Sequence, residues 1–128
     1  MEKWLGAAGV CVKDKKVLMV LQGTKEEPKC WSVPSGGMEK GETYEECCIR
    51  EIKEETGYDV EIIKPLFQKE SPYGEVHYFE AKVTGGSPII QDPDNLIYDI
   101  DWKSESEIEE LTLTYEEDRD FLIKIIGK

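Results

Sequence analysis

At 128 residues, 39% of them hydrophobic, the chain has the length of one ordinary domain and enough apolar material for a real core. Acidic residues number 28 against 16 lysines and arginines, a net charge of −12. A surface this acidic repels phosphate backbones and anionic lipids, which argues against non-specific nucleic-acid binding and membrane adhesion.

The longest apolar stretch, Leu5 to Val12, has eight residues, two of them glycines, and is too short to span a bilayer. The Met-Glu-Lys start lacks a signal-peptide pattern, so the expectation is a cytoplasmic protein. Cys11, Cys30, Cys47 and Cys48 show no Cys-x-x-Cys spacing and read as free thiols of a reducing compartment. With His77 as the single histidine, a multi-histidine zinc site is excluded.

No internal repeat or long linker divides the sequence, so residues 1–128 read as one domain. Gly9 to Val12 and Val17 to Leu21 are predicted strands, with a hairpin turn at Asp14-Lys15-Lys16. Gly23 to Lys29 is a polar loop, and Trp31-Ser32-Val33 a short strand ended by Pro34. Ser35-Gly36-Gly37 reads as a glycine-rich bend.

A helix should start after Thr43, where Thr43-x-x-Glu46 forms a capping box, and run to about Thr56 before Gly57. Val60 to Ile63 and Val76 to Val83 are further strands, Gly85-Gly86 a turn, and Leu96 to Trp102 a strand facing inward with Leu96, Tyr98 and Ile100. Ser104-x-x-Glu107 and Thr114-x-x-Glu117 are two more capping boxes. The second would open a C-terminal helix with Tyr115, Leu122, Ile125 and Ile126 on one face. This order predicts an α/β fold with a mixed sheet covered by helices.

The chemistry is concentrated between Gly36 and Tyr58, which hold seven glutamates against Lys40, Arg50 and Lys53. Glu51, Glu54 and Glu55 stand at i, i+3 and i+4, neighbours about 5–6 Å apart on one helix face. Ile49 and Ile52 are assigned to the face that packs on the sheet. Glu42, just before the helix, can fold back toward the acids. Carboxylates held this close repel one another, and a hard divalent cation turns that repulsion into coordination. Oxygen-only ligands suit Mg²⁺ or Mn²⁺, and Arg50 can hold the cluster through a carboxylate such as Glu54.

Gly36, five residues, Glu42, seven residues, then Arg50-Glu51-Ile52-Lys53-Glu54-Glu55-Thr56-Gly57-Tyr58 resembles the 23-residue box of the Nudix hydrolases. Every polar and glycine position is met; Tyr58 stands where an aliphatic residue is usual. Trp31-Ser32-Val33-Pro34 and Met38-Glu39-Lys40-Gly41 resemble the family's flanking segments.

The resemblance implies a Nudix-like mixed β-sheet sandwiched between α-helices. It also implies a metal-dependent enzyme that hydrolyses a nucleoside diphosphate linked to another moiety, its partner being a small nucleotide-type phosphate. In that scheme Glu54 and Glu55 are the main metal ligands, Glu51 is ligand or general base, Glu42 an auxiliary ligand, and Arg50 the orienting group. The base lies elsewhere in parts of the family, so Glu70, Glu75, Asp92, Asp94 and Asp99 remain candidates. Gly36 and Gly37 would shape the loop behind the helix, while Trp31, Tyr73 and Asp94 are weaker candidates for substrate contact. His77 reads as a packed or surface histidine. Dimers are common among similar proteins, so a homodimer is compatible with the resemblance. The competing reading is a nucleotide-binding sensor of weak catalysis on the same fold. Inactive relatives typically lose a glutamate of the Glu-x-x-Glu-Glu core, and none is missing here.

Overall fold

Strand β1 (Trp4–Lys13) organises the molecule, because both of its faces are buried. In the computed structural model, which describes residues 3–93 and 95–127, Ala7 and Cys11 face one apolar cluster while Ala8 and Val10 face another. A strand covered on both sides needs a continuous apolar run, which accounts for the composition of this stretch. A hairpin joins it to β2 (Lys16–Gln22), with Asp14 and Lys15 at φ 52° and 60°. Two consecutive left-handed residues match the twist of the flanking strands.

The sheet has the order β3-β2-β1-β6-β5, where β3 is Cys30–Ser32, β5 Tyr58–Ser71 and β6 Gly74–Gly86. The β1–β6 pair is parallel and its neighbours are antiparallel, making a mixed sheet. Strand β4 (Ser35–Gly37) pairs with β1, and β7 (Ile97–Ser104) with β2. Ser35-Gly36-Gly37 is therefore a short strand, not the expected bend. The β1–β2 ladder is confined to Val12↔Val17 and Lys13↔Lys16, which leaves the first half of β1 to pair with β4.

Helix α1 (Tyr44–Thr56) begins and ends where expected. Thr43 and Glu46 close a reciprocal capping box, and Gly57 at φ 81° stops the helix with its N–H on the Lys53 carbonyl. Its sheet-facing side is Cys47, Cys48 and Ile52, all fully buried, whereas Ile49 is 36% exposed. The expected pairing of Ile49 with Ile52 is thus corrected: the cysteines act as small apolar residues, and Ile49 falls on the solvent flank. Gly9 lets the helix approach, since a Cβ there would lie 2.4 Å from Ile52 Cδ1. The cysteines are free, and burial pushes the thiols of Cys11 and Cys47 up to about 12 and about 11.

The opposite face is covered by α2 (Glu105–Glu110) and α3 (Arg119–Ile126), so helices sandwich the sheet. Ser104 and Glu107 form the second capping box. The third does not form. The backbone around Thr114 is drawn to β3 instead, with Trp31 N donating to Thr112 O and Thr114 N to Trp31 O, both at 2.9 Å. A 3₁₀ turn (Glu116–Asp118) follows, and α3 starts later than expected. Leu122 and Ile126 are buried, but Tyr115 is exposed, with Lys69 above its ring.

Strand β5 is longer than its apolar core Val60 to Ile63 indicates, because register shifts at three places break its alternation. Pro65 is accommodated because β5 is an edge strand. Gly85 and Gly86 close β6 rather than forming a separate turn. Strand β7 departs from expectation at its start: Ile97 is buried while Leu96 and Tyr98 are exposed, and of the three expected residues Ile100 packs against the core. A register shift against Leu21/Gln22 accounts for the offset. Among the described residues, no helix is long and apolar enough to cross a membrane.

Candidate active site

Arg50, at the midpoint of α1, is the hub around which the carboxylates assemble. Its Nε and Nη2 donate to the two oxygens of Glu42 at 2.6 and 3.0 Å, a fork-shaped pairing. Nη1 reaches Glu51 at 3.1 Å and Glu54 at 3.2 Å, and Nη2 also donates to the Gly37 carbonyl at 2.9 Å. Glu39 lies 3.3 Å from Nε. The expected Arg50–Glu54 contact is present, and the stronger Glu42 pairing brings the pre-helix segment back over the helix. Glu42 is then fully engaged, since its Oε1 also accepts the Glu39 N–H at 2.8 Å.

Glu51 and Glu55 point from α1 toward β4. The pair is buried, at 9% and 7% exposure. Glu55 accepts the Ser35 N–H at 3.2 Å. Glu51 lies directly against Gly36: a Cβ there would sit 1.6 Å from Glu51 Oε2. This explains the box glycine in steric terms. On the other side of β4, a Cβ on Gly37 would meet the Trp4 indole at 3.0 Å, so successive glycines serve opposite faces.

A cleft of about 330 Å³ opens here, walled by Ser35, Gly36, Gly37, Glu39, Arg50, Glu51, Glu54 and Glu55, and across from them by Gln22, Asp92, Pro93, Leu96 and Ile97. The segment 87–93 is fastened to the end of α1, with Ile89 N on Thr56 O at 2.9 Å and Gln91 N on Glu54 O at 2.7 Å. Asp92 Oδ2 in turn accepts the N–H groups of Leu96 and Ile97 at 2.5 and 3.2 Å.

The electrostatics follow from this packing. Burial, with added repulsion from Glu54 and relief from Arg50, pushes the Glu51 carboxyl up to about 7. Burial and the nearby Glu51 hold Glu55 well above the usual range, against the pull of the Ser35 amide. The Arg50 hydrogen bonds lower Glu42, and Glu42 raises Arg50 further above its ordinary value. Two carboxyl groups that resist ionisation in a polar cleft mark a site where a cation would be strongly favoured. The donors are all carboxylate oxygens, the set that hard divalent ions take. Among the described residues, no group of three or more His, Cys, Asp or Glu side chains is already arranged to hold a metal. Four of the acids, Glu39, Glu42, Glu51 and Glu54, are instead turned toward Arg50.

Other expected contacts lie apart. Trp31 is half-buried outside the cleft, packed on the α2/α3 side with Lys103 Nζ 4.2 Å from its ring centroid. Tyr73 is 76% exposed in the β5–β6 hairpin turn, beside Trp4. His77 stacks on Tyr44 at 3.6 Å and lies 3.1 Å from Glu75. Asp94 falls outside the described residues. Sequence reasoning assigned neither Gln22 nor Leu96 to the site, Leu96 reading as a core residue; their place in the cleft wall follows from the β2–β7 pairing and carries no local signal.

A family model described as NUDIX domain matches residues 3–125. The chain belongs to the Nudix family. This Nudix chain is 34% identical over 90 residues to a nudix-hydrolase relative from Caenorhabditis elegans, covering 70% of this chain and 24% of that protein. It is 45% identical over 49 residues to the ADP-ribose pyrophosphatase of Methanocaldococcus jannaschii, covering 38% of this chain and 29% of the relative. The first curated relatives are thus matched over about a quarter to just over half of their own length. A NUDIX hydrolase structure from Nitrosomonas europaea superposes with a TM-score of 0.80 at 21% identity, covering 96% of this chain and 87% of that one, which establishes the shared fold.

Proposed function

We propose that this Nudix chain, acting as one domain, is a pyrophosphohydrolase that cleaves the phosphoanhydride of a nucleoside diphosphate linked to another moiety, with Mg²⁺ or Mn²⁺ as cofactor. The observation that carries the proposal is the buried Glu51–Glu55 pair, kept from easy ionisation in an open polar cleft. Glu51, Glu54 and Glu55 would hold the divalent cation, which when bound neutralises phosphate charge and acidifies a water molecule.

The chain's own groups do the rest. Arg50 keeps Glu51 and Glu54 turned into the cleft, and Glu42 fixes Arg50, a positioning role that suits its fully engaged oxygens better than ligation. The Ser35 amide orients Glu55. Glu51, held by Arg50 in the cleft wall, would serve either as a ligand of that cation or as the base that takes the proton of the attacking water. The water oxygen bonds to phosphorus, the bridging P–O bond breaks, and the bridging oxygen leaves with the other phosphate. Asp92, held by two backbone amides on the facing wall, is the one downstream base candidate among the described residues that lines the same cleft.

A panel of nucleoside diphosphate derivatives incubated with Mg²⁺ or Mn²⁺, with phosphate read after phosphatase treatment, tests the proposal. Turnover that falls about a hundredfold or more in Glu55→Gln is expected. No turnover across the panel, with nucleotide binding retained, would establish the sensor reading instead.

A further inference from the structure

A cavity of about 350 Å³ lies on the α2/α3 side of the sheet and shares no lining residue with the carboxylate cleft. Its apolar surface comes from Val12, Leu66, Phe121 and Ile125, all partly buried against the core of that face. Phe121 and Ile125 stand one turn apart on α3, whose buried face is Leu122 and Ile126. They are therefore left beside the core contact and wall the cavity. The volume falls within the range of pockets that enclose a small molecule.

The rim sets this cavity apart from the rest of the surface. Lys64, Lys124 and Glu80 complete its lining. Glu80 lies 3.8 Å from Lys64. Lys124 is exposed and, among the described residues, pairs with no carboxylate; Asp120, one turn back on α3, makes no ion pair with it. Lys82, two residues beyond Glu80 on β6, leaves the sheet by the same face. The protein as a whole carries a net charge of −12, so a net positive rim around apolar walls is a local reversal. Such a rim attracts an anion, and the walls gain only from a ligand that is apolar over most of its surface. Inorganic phosphate would leave the walls unused, and a neutral apolar body would leave Lys124 without a partner.

We propose that this cavity binds a small amphipathic carboxylate. Its ring or chain lies against Val12, Leu66, Phe121 and Ile125, and its carboxylate pairs with Lys124. The inference concerns a second site and does not depend on the pyrophosphohydrolase reading. Apolar burial supplies most of the affinity, because an exposed ion pair adds little in water. The lysine rim supplies the preference for an anion over its neutral counterpart.

Naphthalene carboxylate titrated into the isotope-labelled protein, with backbone amide shifts as the readout, tests the proposal. Saturable binding with a Kd of about 1 mM or tighter is expected, with the largest shifts at the residues lining the cavity. Naphthalene methanol, the neutral counterpart, should bind about threefold more weakly or worse. Lys124→Glu should weaken the carboxylate about tenfold, the effect of reversing a charge beside it. Lys13→Glu makes the same change in net charge on an exposed residue outside the cavity, and should alter the affinity by less than about twofold. No saturable shifts, shifts centred on the carboxylate cleft, equal affinity for the two naphthalenes, or equal losses in the two lysine variants would each overturn the inference.

Discussion

Gly36→Ala is the sharpest small perturbation of the site, because it adds one methyl group where Glu51 already lies. The new Cβ would fall 1.6 Å from Glu51 Oε2 and 2.2 Å from its Cδ, both carboxyl-group atoms. Relief to ordinary contact requires the carboxyl group to move by about 1.5–2 Å. A displacement of that size is associated with losses of about a hundredfold in rate when it misplaces a reacting group. The fold itself should survive. The strain falls on a side chain that can swing into the cleft, so the stability cost is about 1–3 kcal/mol, typical of overpacking. Gly37→Ala is the internal comparison: its Cβ meets the Trp4 indole at 3.0 Å, and Trp4 is 53% exposed and free to shift. Steady-state kinetics in Mg²⁺ for both variants, with thermal unfolding in parallel, make the test. The expected loss for Gly36→Ala is at least about ten times that for Gly37→Ala. Equal losses, or a Gly36→Ala enzyme within threefold of wild type, would refute the assignment of Glu51 and its dependence on the glycine.

Two further outcomes follow from the same cluster. Arg50→Ala strands Glu42, Glu51 and Glu54 without their shared cation and should cost about 2–4 kcal/mol in denaturant unfolding, with Arg50→Lys restoring only part of it because an ammonium cannot reproduce the fork. Without metal, stability should fall with rising pH: Glu51 has its folded pKa raised to about 7, so its favourable contribution is complete below about pH 4.5 and is lost as pH climbs through 7. The difference between wild type and Glu51→Gln across that window should reach about 3 kcal/mol, and a flat difference would contradict the burial of that carboxyl.

The parts of this molecule legible in its sequence are those fixed by local rules. Thr43, Glu46 and Gly57 bound α1 through hydrogen bonds and a backbone conformation that depend on near neighbours alone. Fixed spacing along one helix likewise placed Arg50, Glu51, Glu54 and Glu55 together. What escaped depends on distant partners. Thr114 has the same capping pattern as Thr43, yet its amide is taken by Trp31, far away in the chain. Ile49 and Leu96 look like core residues by type, but Cys47, Cys48 and Ile52 fill the sheet side of α1 and a register shift interrupts the β2–β7 pairing, so both lie exposed. The far wall of the cleft, Gln22 and Leu96, exists only because β2 pairs with β7, so no motif announces it.

In the proposed mechanism Glu51, Glu54 and Glu55 form a seat for a divalent cation. The decisive experiment is isothermal titration of Mn²⁺ into the wild-type protein and into Glu55→Gln, each saturated with the same nucleoside diphosphate. Saturable heat in the wild type that weakens about tenfold or more in the variant is the predicted result. Identical isotherms for the two proteins, or no saturable heat in the wild type, would contradict it.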